Sequence, residues 1–114
     1  MTDLEISKAL ALAIGWDDLW VDKHGQLWVG LKSEELHEGI FNYRDWNVIG
    51  PISERYNAFP VQFDSDKRWY SNTWVESRQE LEEAWADTPQ KAIALAMIAA
   101  LDAPHESDTA RIQQ

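Results

Sequence analysis

The 114-residue chain has no cysteine, three scattered histidines and five isolated glycines. Without cysteine there is no disulfide framework, no thiolate nucleophile and no cysteine-ligated zinc or iron–sulfur centre. Isolated glycines form no phosphate-binding loop, and no serine lies in a Gly-x-Ser-x-Gly motif. We therefore expect a protein that is not an enzyme and that holds no metal and no cofactor.

Long apolar runs and basic clusters are also missing. The longest apolar run, from Ala92 to Leu101, is about half the length that a bilayer span needs. The first residues, Met1 to Glu5, are acidic where a secretory signal would be basic. Lys67 and Arg68 are the only adjacent basic residues, so phosphates would meet no cationic patch. We expect a cytoplasmic protein that binds neither membrane nor nucleic acid directly.

What the chain does contain is acidic charge and tryptophan. Twenty Asp and Glu residues outnumber ten Lys and Arg residues, which gives a formal net charge of −10. Seven tryptophans and a 45% apolar fraction indicate a folded chain, and its length indicates one domain. We place this domain at residues 1–103 and a mobile C-terminal tail at residues 104–114.

The first half of the chain predicts a helix and a hairpin. Thr2 and Glu5 have the spacing of a capping box, and apolar residues then recur at helical spacing over residues 3–14. The β-favouring runs 19–21 and 26–29 flank a turn that contains Gly25, which predicts a hairpin. The acidic stretch 33–38 has little pattern, and we interpret it as a loop or one helical turn.

The middle of the chain is less regular. Asp45 can cap a helix that runs towards Tyr56, but Pro51 predicts two short pieces, a kink, or a start near the proline. Residues 61–63 and 68–75 predict a second hairpin. Residues 77–85 fit either a helix capped by Ser77 or a short returning strand at 84–86.

The last element is an apolar helix that follows Asp87, Thr88 and Pro89, and that we expect to end at Pro104. A helix that is apolar on every side is typical of burial against a sheet. The order of elements predicts a single α+β domain. We expect an antiparallel sheet of about four strands with flanking helices, resembling an α-β-α sandwich.

Two passages carry a resemblance to a known family. Residues 43–46 (YRDW) lead into residues 50–56 (GPISERY), and residues 86–93 (ADTPQKAI) lead into the alanine-rich final helix. These passages resemble the phage α-β-α sandwich domain family, and the NinX-like phage proteins show a neighbouring pattern. The resemblance implies a sheet covered by helices and a phage or prophage origin, and it implies no reaction. Arg44 departs from the family pattern, in which a small hydroxyl residue is usual.

Three candidate chemistries can be weighed against simpler interpretations. Adjacent carboxylates such as Glu82 and Glu83 point to different sides of an element, which favours surface charge over acid–base catalysis. Glu34, His37 and Glu38 share a helical face and could bind a divalent metal weakly, but a solvated loop is favoured. Tryptophans can form ligand platforms, and we interpret most of them as core.

One strand predicts a contact surface. On the strand 68–75, residues 69, 71, 73 and 75 must face one side, and Tyr70, Asn72 and Trp74 must face the other. If helices cover only one side, the other set is exposed. Residues 76–87 add five carboxylates against one arginine. The predicted partner surface consists of Tyr70, Trp74, Glu76, Glu80, Glu82, Glu83 and Asp87.

These features favour an acidic, non-enzymatic interaction module of a phage or prophage. The partner would be a host or phage protein with a basic surface, and the sharper version is an inhibitor of a host nucleic-acid-handling or defence enzyme. Two alternatives stay open. One is a small-molecule binder or small enzyme with a tryptophan-lined pocket, and the other is a structural role as a homo-oligomer.

Overall fold

The computed structural model describes residues 1–31, 36–63 and 67–112, and all counts below refer to these residues. They form three helices and six strands. The helices are α1 (Asp3–Ala13), α2 (Trp46–Tyr56) and α3 (Pro89–Ile112). The strands are β1 (Asp18–Val21), β2 (Leu27–Leu31), β3 (Leu36–Ile40), β4 (Val61–Phe63), β5 (Arg68–Val75) and β6 (Glu80–Ala86).

The strands of the described residues form two antiparallel three-stranded sheets, in the orders β1-β2-β3 and β4-β5-β6. The α+β class with antiparallel strands in a single domain is thus confirmed. The strands differ from the expected single sheet of about four, because each predicted hairpin gains a third strand. Helix α3 packs against β5 and β6, and α1 packs against α3 and β2.

Local signals place α1 and the first hairpin where the sequence predicts them. The Glu5 backbone N–H donates to Thr2 Oγ1 (3.1 Å), and Thr2 N–H donates to Glu5 Oε1 (2.7 Å), which completes the capping box. Gly15 follows the helix with a positive φ of 111°. In the hairpin turn, Asp22 Oδ1 accepts hydrogen bonds from the backbone of His24 and Gln26.

Strand β3 corrects the prediction of a loop or helical turn over residues 33–38. Residues 36–40 pair with β2, while residues 33–35 lie outside the described residues. The register shifts between Val29 and Gly30, and Gly39 has a positive φ of 111°. Strand β3 is an edge strand, where charged residues are common and an apolar alternation is not required. The residue pattern of this stretch therefore did not predict a strand.

Helix α2 begins at the predicted cap and continues through Pro51. Asp45 Oδ1 accepts a hydrogen bond from Asn47 N–H (2.9 Å), and Asn57 ends the helix with a positive φ of 54°. Pro51 is the sixth residue of one helix of 11 residues, so the prediction of two short pieces is wrong. Both Asn47 and Pro51 are exposed, so water can reach the backbone carbonyl for which Pro51 has no N–H.

The C-terminal half contains two further corrections. Residues 80–86 form β6, so the strand is correct and the alternative of a helix capped by Ser77 is wrong. Helix α3 begins at Pro89 as predicted but continues past Pro104 to Ile112. The prediction that Pro104 ends the helix is therefore wrong: a proline removes one helical hydrogen bond, and a helix can continue past it at that cost. A mobile tail at residues 104–114 stays a prediction.

The core is formed by aliphatic and alanine side chains rather than by tryptophan. Ile6 and Leu10 of α1, Ile49 of α2, and Ile93 and Met97 of α3 are fully buried. No tryptophan of the described residues is buried, and Trp20, Trp46, Trp74 and Trp85 are exposed. The interpretation of most tryptophans as core is therefore wrong. Tyr43 and Phe41 are the aromatic residues of this core, and buried alanines in α3 let the helix backbone approach its neighbours.

Candidate functional site

The two faces of β5 differ as the sequence predicts. Ser71, Thr73 and Val75 are buried beneath the helix layer, and Thr73 Oγ1 donates a hydrogen bond to the Tyr56 carbonyl (2.8 Å). The opposite face, which carries Trp74, is exposed. Because α3 packs against β5 and β6, the helix covers one side of this sheet only. The other side is free to make a contact.

We call this exposed side of β4–β5–β6 the outer face. It carries an unusual amount of apolar surface: Trp74 is 52% exposed, Val61 52%, Leu81 48%, Phe63 44% and Trp85 39%. Cross-strand register brings these side chains together, since Val61 pairs with Tyr70, Tyr70 pairs with Trp85, and Trp74 pairs with Leu81. Monomeric proteins seldom expose contiguous apolar patches of more than a few hundred Å² unless the patch is functional. The outer face is the strongest candidate for a contact surface.

Three rings pack together on the outer face, one from each strand. The ring centroids of Tyr70 and Trp85 are 4.9 Å apart, those of Phe63 and Trp85 are 5.1 Å apart, and those of Phe63 and Tyr70 are 6.2 Å apart. The Arg68 guanidinium carbon lies 5.1 Å from the Trp85 ring centroid. This aromatic cluster, Phe63–Tyr70–Trp85, fixes the orientation of rings that remain open to solvent.

Two carboxylates are bound to the polar atoms of these aromatic residues. Tyr70 Oη donates to Glu83 Oε2 (2.7 Å) and accepts from Asn72 Nδ2 (2.9 Å). The Asn72 bond lowers the pKa of Tyr70, but the Glu83 bond raises it, and together with desolvation the balance is a raised pKa. Trp74 Nε1 donates to Glu76 Oε2 (2.8 Å). The outer face therefore combines apolar rings with negative charge.

Four of the predicted surface residues lie on or beside the outer face: Tyr70, Trp74, Glu76 and Glu83. The other three do not join them. Glu80 and Glu82 pair with Val75 and Thr73, and so belong to the opposite side of the sheet. Glu82 Oε1 lies 3.5 Å from Arg78 Nη1. Asp87 follows β6 and lines a separate cavity.

Sequence reasoning missed Val61, Phe63, Leu81 and Trp85 as parts of this surface. Residues 81–85 show no alternation of apolar and polar residues, because Glu83 lies between Leu81 and Trp85 on the same face, and the apolar positions 81, 84 and 85 have helical spacing. Val61 and Phe63 were placed in a strand, yet their face depends on the pairing register with β5. Register was not readable from a three-residue strand.

An apolar groove lies elsewhere, between the end of α1 and α2. It has a volume of about 340 Å³ and is lined by Trp16, Val48 and Pro51, with Asn47 as its polar residue. Among the described residues, no carboxylate or histidine lines it. Trp16 is the only tryptophan among the described residues that line the groove, so the small-molecule alternative with a tryptophan-lined pocket stays a prediction. The groove offers no acid–base group for a reaction.

A small polar cavity of about 170 Å³ lies where the first turns of α1 and α3 meet, and both Asp87 and Lys91 line it. Tyr43 Oη donates to Asp3 Oδ1 (2.6 Å), and Arg44 Nη1 donates to Asp3 Oδ2 (3.0 Å). Desolvation, and then the hydrogen bond to Asp3, raise the pKa of Tyr43 strongly. The Tyr43 bond in turn lowers the pKa of Asp3. Asp3 is thus held by Tyr43 and Arg44, and this pairing connects the start of α1 to the turn before α2.

Metal-binding residues do not cluster in the ranges that the structure describes: no group of three or more such side chains could hold an ion there. Glu34 of the weak metal candidate lies outside the described residues, and His37 and Glu38 belong to β3 rather than to a helical turn. Of the helices in the described ranges, none is both long and apolar enough to cross a membrane.

The fold is shared with a phage protein. The chain is similar to the crystal structure of a phage protein from Bacillus cereus ATCC 14579, with a TM-score of 0.64 and 17% sequence identity. The match covers 88% of this chain and 92% of that chain. No protein-family model and no curated protein matches the chain. At this identity the likeness establishes the α+β fold, and the sandwich family itself stays a proposal.

Proposed function

We propose that this protein is a non-enzymatic phage or prophage interaction module whose contact surface is the outer face. The observation that carries the proposal is the exposure of Val61, Phe63, Trp74, Leu81 and Trp85 on one side of one sheet. Burying them against a partner would release bound water and stabilise the complex. The similarity to a phage protein supports the proposed origin.

The partner in this proposal is a host or phage protein with a basic surface. The chain carries a net charge of −10, which attracts a cationic protein over distances of about a Debye length. Glu76 and Glu83 place part of that charge beside the apolar rings. Apolar contacts would supply affinity, and the charges would speed association. An inhibitor that occupies the basic cleft of a nucleic-acid-handling enzyme is the most specific form of this proposal.

Two exposed tryptophans allow a matched test. Trp74 is 52% exposed on the outer face, and Trp46 is 49% exposed on α2. We expect the tagged wild-type protein and Trp46→Ala to capture the same partner from bacterial lysate at about 50 mM salt. Trp74→Ala should weaken that complex about tenfold or more, the loss expected for an interface tryptophan. The captured protein is identified by mass spectrometry and its affinity is measured with purified components.

Two results would contradict the proposal. The first is a partner that Trp74→Ala binds as tightly as the wild type does. The second is a specific partner that Trp46→Ala loses instead, which would place the contact on α2. Far-UV circular dichroism of each variant shows whether the fold is intact, and an exposed tryptophan should be dispensable for folding.

A further inference from the structure

We propose that the aromatic cluster and Glu83 form a subsite for an arginine side chain of the partner. This inference rests on the proposed function and names the chemistry that the outer face recognises. It follows from three observations: the ring geometry, the position of Arg68, and the hydrogen bonding of Glu83.

The first observation is that the Trp85 ring is both exposed and held in place. Trp85 keeps 39% of its surface exposed, although Phe63 and Tyr70 lie within 5.1 Å and 4.9 Å of it, centroid to centroid. A planar cation gains from stacking on an electron-rich ring, and the gain is largest on tryptophan. A ring already oriented by its neighbours loses little conformational freedom when a ligand stacks on it.

The second observation is that a guanidinium already lies over this ring. Arg68 Cζ is 5.1 Å from the Trp85 centroid, which is within the range of a cation–π contact. Arg68 also makes a further interaction in this structure. The contact shows that a guanidinium can lie over the Trp85 ring. We infer that Arg68 occupies the subsite in the free protein and that an arginine of the partner replaces it.

The third observation is a carboxylate beside the rings. Glu83 Oε2 accepts the Tyr70 hydroxyl at 2.7 Å, and among the described residues Oε1 makes no hydrogen bond. A carboxylate oxygen offers two acceptor positions, so Glu83 can accept further donors without giving up Tyr70. The fork of donors on a guanidinium suits such a carboxylate, whereas the single ammonium of lysine does not. The subsite should therefore prefer arginine over lysine.

The probe is a short acetylated peptide, Gly-Leu-Arg-Leu-Gly amide, together with versions that carry lysine or citrulline in place of arginine. Citrulline keeps the planar shape and removes the charge. Binding is measured by the shift of the Trp85 indole N–H signal in ¹H–¹⁵N spectra, assigned with Trp85→Leu. We expect the arginine peptide to bind at least about threefold more tightly than the lysine peptide. The citrulline peptide should bind about tenfold more weakly than the arginine peptide, because a neutral group loses the cation–π contact and the charge-assisted bonds.

Variants separate the subsite from general charge attraction. Arg68→Gln removes the internal guanidinium and should tighten binding of the arginine peptide about threefold or more. Lys67→Asn is the matched control, because it removes the same charge one residue away, at a position whose φ of 61° suits asparagine. It should have the smaller effect. Glu83→Gln should weaken binding about three- to tenfold.

Several results would overturn the inference. The first is that the arginine and citrulline peptides bind equally tightly. The second is that Glu83→Gln binds the arginine peptide as tightly as the wild type does. The third is that Arg68→Gln and Lys67→Asn change the affinity for this peptide equally. A dimer in solution that Trp85→Leu dissociates would also overturn it, because a second copy would then cover the ring. If the peptides fail while a partner is still lost with Trp74→Ala, the inference is wrong and the proposed function stands. Glu83→Gln and Arg68→Gln keep the test decisive if Trp85→Leu fails to fold.

Discussion

Tyr43 connects the turn before α2 to helix α1. It is 2% exposed, and its hydroxyl reaches Asp3 at the start of α1. Its backbone N–H donates to the buried Ser7 Oγ (3.1 Å), and the neighbouring Arg44 also binds Asp3. The turn before α2 is thereby fixed to α1. A buried phenol needs such a partner, because a hydroxyl without one loses its bonds to water.

We expect Tyr43→Phe to lower the free energy of unfolding by about 1 kcal/mol, the usual net contribution of one hydrogen bond. The value is below the range for charged acceptors because the Asp3 side chain is 51% exposed, and water screens the interaction. Urea unfolding measures the difference. Tyr56→Phe is the control, since the Tyr56 hydroxyl makes no hydrogen bond within the described residues, and it should change stability far less. Equal effects of the two substitutions would contradict the role assigned to Asp3.

The same comparison has a defined pH dependence. The Tyr43 bond lowers the pKa of Asp3 below its ordinary value of 3.8, so this stabilisation is present above that pH and is lost as the pH falls further. Burial and Asp3 raise the pKa of Tyr43 above its ordinary value of 10.0, so wild-type stability also falls as the pH rises beyond 10.0. The difference in free energy of unfolding between the wild type and Tyr43→Phe should therefore become smaller at low pH and at high pH. If this difference in free energy of unfolding stays constant at low pH, the charged form of Asp3 is not the acceptor of the Tyr43 hydrogen bond.

At the scale of elements, the sequence predicts those that begin or end with a strong local signal. The capping box of Thr2 and Glu5, the cap at Asp45 and the glycine turn at Gly25 all appear where they were expected. Strands β3 and β6 were missed or left open because their residues do not alternate between apolar and polar and because both strands lie at sheet edges. Edge strands obtain their hydrogen bonds from one neighbour, so only the partner strand reveals them.

Helix α2 contains a proline in its interior, where proline normally destabilises a helix, and this can be tested. Pro51 gives up one helical hydrogen bond, yet the helix continues to Tyr56. Pro51→Ala restores the N–H and should stabilise the protein by about 1–2 kcal/mol, less than the full helix penalty of proline because proline also restricts the unfolded chain. Thermal and urea unfolding measure the change.

Glu54→Ala is the control for the Pro51 substitution, because Glu54 is exposed on the same helix and alanine there changes helix propensity little. Destabilisation by Pro51→Ala would contradict the prediction. It would also draw attention to the groove, since Pro51 lines it together with Trp16 and Val48. In that case the proline ring would be needed to shape the groove wall.

At the scale of the molecule, the candidate surface could be predicted only in part. The alternation along β5 assigned Tyr70 and Trp74 to an exposed face. It could not show which rings join them, because Phe63 and Trp85 come from strands whose register is set by pairing. The number of tryptophans led to the wrong prediction that most of them lie in the core. The sequence does not distinguish tryptophans inside a small alanine-rich core from those outside it.

The net charge of −10 makes a prediction for the whole chain. Raising NaCl from about 20 mM to about 0.5 M should raise the melting temperature by a few degrees, because screening weakens repulsion among carboxylates. Reversing two exposed charges, with Glu54→Lys and Glu80→Lys, changes the net charge by four, from −10 to −6, and should reduce this rise. Lys23→Arg keeps the charge and should leave the rise in melting temperature with salt unchanged. Scanning calorimetry measures the melting temperatures of the wild type and of both variants. A melting temperature that falls with salt would mean that local pairs such as Arg44 and Asp3 outweigh the overall repulsion.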